Sequence, residues 1–142
     1  MDIKSYLSGY ADGEGCFCVS INKSTRHSFG WEIRPSFSVS QNGDRAQVLE
    51  MLKQHFACGT IRPDRTVKYE VRSVADLVER VIPHFEENPL LSSKQRDFEI
   101  FADVCRRMYN GEHRTREGFK HIVSLALEMN PSGKRKYTEI KL

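Results

Sequence analysis

Three glycines and two carboxylates crowd into residues 9–15, Gly9-Tyr10-Ala11-Asp12-Gly13-Glu14-Gly15, where the sequence changes from a helical rhythm to a strand rhythm. Upstream, Asp2 can cap a helix, and Ile3, Tyr6, Leu7, Tyr10 and Ala11 recur at its i, i+3, i+4, i+7 spacing. Gly9 and Gly13, four apart with Ser8 and Asp12 beside them, form another face with little side chain on it. A glycine inside a helix costs about 1 kcal/mol relative to alanine, so two on one face need a reason. Close approach of a second backbone is one reason. The other reading is a helix that ends at Gly13 and Gly15, with Asp12 and Glu14 as solvated charges. The carboxyl end of a helix carries partial negative charge of its own, so acids there call for a compensating cation, a divalent metal being the obvious candidate.

After Gly15 the period becomes two. Phe17, Val19 and Ile21 alternate with Cys18, Ser20 and Asn22; Trp31, Ile33, Phe37 and Val39 alternate with Glu32, Arg34, Ser36, Ser38 and Ser40. Pro35 removes a ladder donor, which predicts an edge or a bulge there. Asp44 is placed to cap a helix bearing Val48, Leu49, Leu52 and Phe56 that stops before Gly59. A second strand pair follows, Thr60 to Arg62 and then Val67, Tyr69 and Val71. Next comes a helix opened by Ser73 and Asp76, which Pro83 should end or kink. Pro89 and Ser92-Ser93 precede a helix with Phe98, Phe101, Cys105 and Met108, stopped by Gly111. The last helix runs from Arg116 to Met129 and is closed by Asn130-Pro131.

The order is αββαββα followed by further C-terminal helices, an α+β fold with one antiparallel four-stranded sheet. The sheet buries Phe17, Val19, Ile21, Ile33, Phe37, Val39, Val67, Tyr69 and Val71. The opposite face, with Ser20, Asn22, Arg34, Ser36, Ser38, Ser40, Lys68, Glu70 and Arg72, mixes donors and acceptors that suit base edges, although many antiparallel sheets simply leave one face wet. At 142 residues the chain reads as one domain, 1–131, with a basic tail, 132–142, carrying Lys134-Arg135-Lys136. A net charge of +3 permits nucleic-acid binding without requiring it.

Several classes are excluded. No apolar run is long enough to cross a bilayer, and Met1-Asp2-Ile3-Lys4 lacks the order of a secretory signal. The expected setting is intracellular, a bacterial or archaeal cytoplasm or an organelle. Cys16 and Cys18 lie one residue apart, without a Cys-x-x-Cys or paired-histidine spacing, so zinc is not expected. The histidines are scattered and read as structural or surface residues.

The stretch Leu7-Ser8-Gly9-Tyr10-Ala11-Asp12-Gly13-Glu14-Gly15 resembles the signature of the LAGLIDADG homing endonucleases, matching at Leu7, Gly9, Asp12 and Gly15 and conservatively at Ser8, Ala11 and Glu14. That family's repeat has this same αββαββα order, so the resemblance covers most of the chain. Only one copy of the motif is present, which implies the homodimeric type. Its two-fold interface would bring Ser8, Gly9, Asp12 and Gly13 of both copies together and set Glu14 beside its counterpart.

The resemblance implies a metal held by Glu14 and the carbonyl of Gly13, with Mg2+ or Mn2+ active and Ca2+ a non-catalytic substitute; no other small-molecule cofactor is implied. Glutamate replaces the family's usual aspartate and alters the reach. By position, Gln41 after the second strand would order water near the metal. Lys94 would complete the solvent network, and Arg45 could orient solvent or touch the scissile phosphate. Asp12 is read as structural rather than as a ligand.

The implied partner is double-stranded DNA, with no membrane. The implied reaction is a double-strand break at a long, pseudo-palindromic site, promoting intron mobility. Ser20, Asn22, Arg26, Glu32, Arg34, Ser36, Ser38, Arg62, Asp64, Lys68, Glu70 and Arg72 are the candidate DNA contacts. Two other readings compete: a cleavage-deficient maturase or regulator of the same fold, and a dimerisation module that binds protein. Glu14 keeps a charged oxygen ligand, against the first, and the polar sheet face lacks apolar anchors, against the second.

Overall fold

The computed structural model describes residues 1–63 and 65–129. Asp64, the Asn130-Pro131 helix stop and the Lys134 to Lys136 tail lie outside the described residues. Helix α1 (Ile3–Glu14) is capped by Asp2, whose carboxylate accepts the amides of Lys4 and Ser5 at 3.1 and 3.3 Å. Strand β1 (Gly15–Lys23) follows with no loop between them, because the Gly15 amide closes the helix on the carbonyl of Ala11 while its backbone is already extended. A Cβ at Gly15 would lie 2.7 Å from that carbonyl oxygen, so this corner requires glycine.

Strands β1, β2 (Trp31–Gln41), β3 (Thr60–Pro63) and β4 (Val67–Val71) form one antiparallel sheet in the order β1-β2-β4-β3. Phe17 pairs with Phe37, and Phe37 with Val71, so the apolar residues of three strands share a face. All the residues expected to be buried there are buried except Val67, which is half-buried near the start of β4. Pro35 sits opposite Val19 in an unbroken register, at a stretch where β2 has only β1 beside it, since its pairing with β4 begins at Phe37. The proline thus lies at a local edge, not at a bulge.

Helix α2 (Gln47–Phe56) begins later than expected. Asp44 falls inside a 3-10 turn, Gly43–Arg45, and the cap position is Ala46, with no side-chain bond. The chain turns as soon as it leaves β2, through the Arg45 amide and Asn42 carbonyl, and this shifts the helix start. Ala57, with φ 56°, ends α2 by returning its amide to Lys53, two residues before Gly59. Gly59 adopts φ 87°, and a Cβ there would meet the Glu70 carbonyl at 2.8 Å.

Ser73 caps α3 (Val74–Asp76), accepting the Asp76 amide at 3.2 Å. The helical path continues through a π-turn (Leu77–Val81) into α4 (Ile82–Glu87). Pro83 does not end the run: the Ile82 amide reaches back five residues to Leu77, and the wider π-turn just before Pro83 accommodates a residue that has no amide to donate. Helix α5 (Lys94–Tyr109) and helix α6 (Arg116–Leu127) complete the layer.

Phe17 occupies the centre of the core. Its ring lies 5.1–5.3 Å from those of Phe37, Phe85, Phe98 and Phe101, which joins β1 and β2 to α4 and α5. This α+β arrangement leaves the far face of the sheet uncovered by any described helix and brings the end of α1 to the sheet's first strand.

Candidate active site and nucleic-acid interface

Helix α1 has two apolar faces. Leu7 and Ala11 are fully buried in the core, whereas Ile3 and Tyr6, expected on the same stripe, are 41% and 40% exposed. The outer face also holds Gly9 and Gly13, where an added Cβ would meet nothing within 4 Å, so packing inside this chain gives no reason for glycine at either position.

Ser8, grouped from the sequence with the interface residues, is instead turned inward and is 4% exposed. Its hydroxyl donates to the Asn88 carbonyl at 2.6 Å. That hydroxyl has one proton, so His84 Nε2, 3.0 Å away, must be the donor to it; His84 Nδ1 is then an acceptor, and His55 Nε2 donates to it at 2.9 Å. The chain His55 to His84 to Ser8 fastens α1 to α4 and α2. Burial first, and His55 second, push the His84 imidazole down to about 4.

Asp12 is likewise committed within the chain. Its carboxylate accepts the amides of Leu91 and Ser92 at 3.0 and 3.1 Å together with the Ser92 hydroxyl. The Ser92 hydroxyl bond is the main reason its carboxyl lies below the usual carboxylate range. Ser92 Oγ also accepts the Lys94 amide at 3.1 Å, so Asp12 anchors the segment that starts α5. From there Lys94 reaches back to the end of α1, where its ammonium donates to the carbonyls of Ala11 at 3.2 Å and Gly15 at 2.6 Å. The cation that the acidic helix end calls for is, within one chain, Lys94.

Glu14 is exposed on the last residue of α1. Gln41 Nε2 donates to the Tyr10 hydroxyl, and Tyr10 lies one helical turn before Glu14, so Gln41 is held on the Glu14 side of α1. Arg45 is exposed in the 3-10 turn that follows β2. The structure thus brings Gln41 and Lys94 to the end of α1 that carries Glu14. Tyr10 as the holder of Gln41, and His55 and His84 as holders of Ser8, escaped sequence reading because their partners are at least 29 residues away. A tyrosine one turn before the acid was the only local signal.

Register fixes the uncovered face of the sheet. Cys16, Ser38, Glu70 and Thr60 form one row; Ser40, Lys68 and Arg62 the next; Ser20 faces Arg34 and Asn22 faces Glu32. Ser38 is only 9% exposed, covered by its neighbours, and is the least accessible of the predicted contacts described. Both predicted acids among the described residues have cationic partners: Glu32 lies 3.9 Å from Arg34, with the His27 ring 3.5 Å away, and Glu70 is flanked by Arg62, Lys68 and Arg72. Arg26 is exposed in the β1–β2 loop beside Lys23 and Trp31. Among the described residues no three His, Cys, Asp or Glu side chains cluster to hold a metal, and no helix is long and apolar enough to cross a membrane.

A family model described as LAGLIDADG endonuclease matches residues 7–105, from the first motif residue to near the last turn of α5. The chain belongs to the LAGLIDADG endonuclease family. It is 30% identical over 130 residues to the probable intron-encoded endonuclease 2 of Neurospora crassa, covering 89% of this chain but 29% of that relative's length. The crystal structure of a homing endonuclease, I-TnaI, superposes with a TM-score of 0.83 at 34% identity, covering 89% of this chain and 87% of the other. I-SmaMI, bound to an uncleaved DNA target in the presence of calcium ions, superposes with a TM-score of 0.88 at 29% identity, covering 96% of this chain and 47% of the other. The fold is therefore that of the LAGLIDADG endonucleases; the sequence carries one copy of the motif, and the chain covers about half of the longer I-SmaMI chain.

Proposed function

We propose that this chain is a sequence-specific DNA endonuclease that depends on a divalent metal and cuts both strands of a long, nearly palindromic duplex. In this reading the active site is completed when α1 pairs with a second copy of itself. The observation that carries the proposal is Glu14, an exposed carboxylate on the last residue of α1, with Lys94 and Gln41 held beside the same helix end.

The donor set suits a hard cation. Each chain offers the Glu14 carboxylate and the last-turn carbonyl of Gly13, all oxygen, while Asp12 has its carboxylate engaged elsewhere. One chain supplies too few ligands for a closed site, which fits a site shared across a two-fold axis, with water and phosphate as the remaining ligands. When bound, Mg2+ or Mn2+ would acidify water and offset charge building up on the phosphate, and Ca2+ would bind without supporting cleavage.

The chain's own residues have the remaining tasks. Gln41, held by Tyr10, would orient a water at the helix end. Lys94, already seated by two carbonyls, would place positive charge beside the scissile phosphate without having to be ordered during the reaction. Arg45, exposed in its turn, would swing towards a phosphate. The uncovered sheet face would lie along the major groove, with Arg34, Arg62 and Arg72 offering guanine contacts and Asn22 an adenine contact. The exposed Gly9 and Gly13 support close approach of a second α1. The names of the intron-encoded relatives support a role in intron mobility.

A cleavage selection on a randomised duplex library, with magnesium and with a chelator, tests activity and target together. Magnesium-dependent recovery of one long, nearly palindromic sequence is expected. Binding without cutting would favour the maturase or regulator reading. Glu14→Ala is expected to abolish cleavage and keep target binding in gel shifts; continued cutting would remove Glu14 as the metal ligand.

A further inference from the structure

We propose that Glu70 is a positioning residue that organises the cations of the sheet face into one recognition unit, rather than reading a base itself. The inference rests on the DNA-binding reading above and assigns Glu70 a different task within it.

Glu70 stands in the middle of the uncovered face, opposite Ser38 on one side and Thr60 on the other. Its side chain is 10% exposed, little for a carboxylate on a face that no described helix covers. Both oxygens face cations: Oε1 lies 3.3 Å from Arg62 Nη2 and 4.0 Å from Arg72 Nε, and Oε2 lies 3.4 Å from Lys68 Nζ. Lys68 lies two residues before Glu70 on β4, Arg72 two residues after it, just past the end of the strand, and Arg62 comes from the neighbouring strand, paired with Lys68.

The two arginines remain accessible, Arg62 and Arg72 being 49% and 45% exposed, and Lys68 less so at 24%. A cytosine amino group approaching Glu70 would compete with these cations for a carboxylate that is already mostly covered. Three long side chains sharing one anion lose rotamer freedom before any partner arrives, and directional donors held in place discriminate between bases better than mobile ones. The anion also cancels one of three positive charges, which holds down attraction to arbitrary phosphates. Both effects favour the right sequence over the wrong one.

The test compares wild type, Glu70→Gln and Glu70→Asp on a random-sequence duplex and on the selected target, with binding measured across a salt series and folding checked by thermal melting. For Glu70→Gln, affinity for the random duplex should rise several-fold. Its log-affinity against log-salt slope should steepen by about 0.9, one added phosphate contact, and the ratio of target to random affinity should fall. Glu70→Asp should return the slope towards wild type. An unchanged slope and ratio in folded Glu70→Gln overturns the inference, as does a change of preference confined to one base pair at constant slope, which marks direct readout. If the wild-type chain shows no salt-dependent duplex binding, the nuclease reading fails and this inference with it. Normal wild-type binding with an unaltered variant sinks the inference alone.

Discussion

Lys94 ties two accounts of the same site together. Its ammonium seals the carboxyl end of α1, and the proposed chemistry needs a cation at the same place. Lys94→Met should therefore lower stability by about 1–3 kcal/mol, the range for hydrogen bonds from a charged donor, discounted towards the low end for a half-buried group. It should also slow cutting with little change in affinity. Chemical denaturation and single-turnover cleavage measure the two effects separately, and a large loss of binding would reassign the lysine to the phosphate backbone. His84 gives a pH signature. Its folded-state value of about 4 lies below the unfolded 6.5, so between those values the unfolded chain takes the proton first. Stability should be fully present above pH 6.5 and fall by up to about 3 kcal/mol as pH drops towards 4, because each tenfold difference in proton affinity between the two states is worth about 1.4 kcal/mol. Denaturation curves across that window should lose this slope in His84→Phe; a slope that persists would place the titration elsewhere.

Among the elements, α1 was the most legible and also the most misread. Asp2, Leu7, Ala11 and Gly15 do what their spacing implies. Ser8 turns inward onto α4, while the partly exposed Asp12 carboxylate, read as structural, holds the segment before α5; these partners arrive from more than 75 residues away. The glycines offer a test of what remains outside. Within one chain both positions tolerate a Cβ, so Gly9→Ala and Gly13→Ala should each stabilise the isolated chain by about 1 kcal/mol through helix propensity. If the two copies approach through this face, the same changes should weaken self-association in sedimentation experiments. Stabilisation with unaltered association would mean that Gly9 and Gly13 are not at the contact. The start of α2 was misjudged because an early 3-10 turn is settled by where neighbouring elements must lie; at Pro83 the helix continues, with a π-turn just before the proline.

Across the whole molecule, the sheet divides the labour. One face is held by the aromatic cluster around Phe17, and Phe17→Ala should cost about 3–5 kcal/mol, measurable as an early melt, because four rings lose their common contact. The other face carries the paired charges, and its binding to duplex DNA should weaken steeply with salt. A flat salt response would point to a protein partner instead.

What the residues determined unaided was everything that depends on period and on short range: the αββαββα order, the two faces of each strand, most caps, and the acidic glycine-rich helix end that marks the family. Hydrophobic periodicity suffices for these because it acts between residues a few positions apart. Tertiary structure alone decided which polar groups are already committed. The partners of Ser8, Asp12 and Lys94 come from distant segments, and Glu70 is enclosed partly by a neighbouring strand. The reason is desolvation: a polar group that folding removes from water must find its hydrogen bond wherever the chain happens to pass, and sequence spacing does not encode that place.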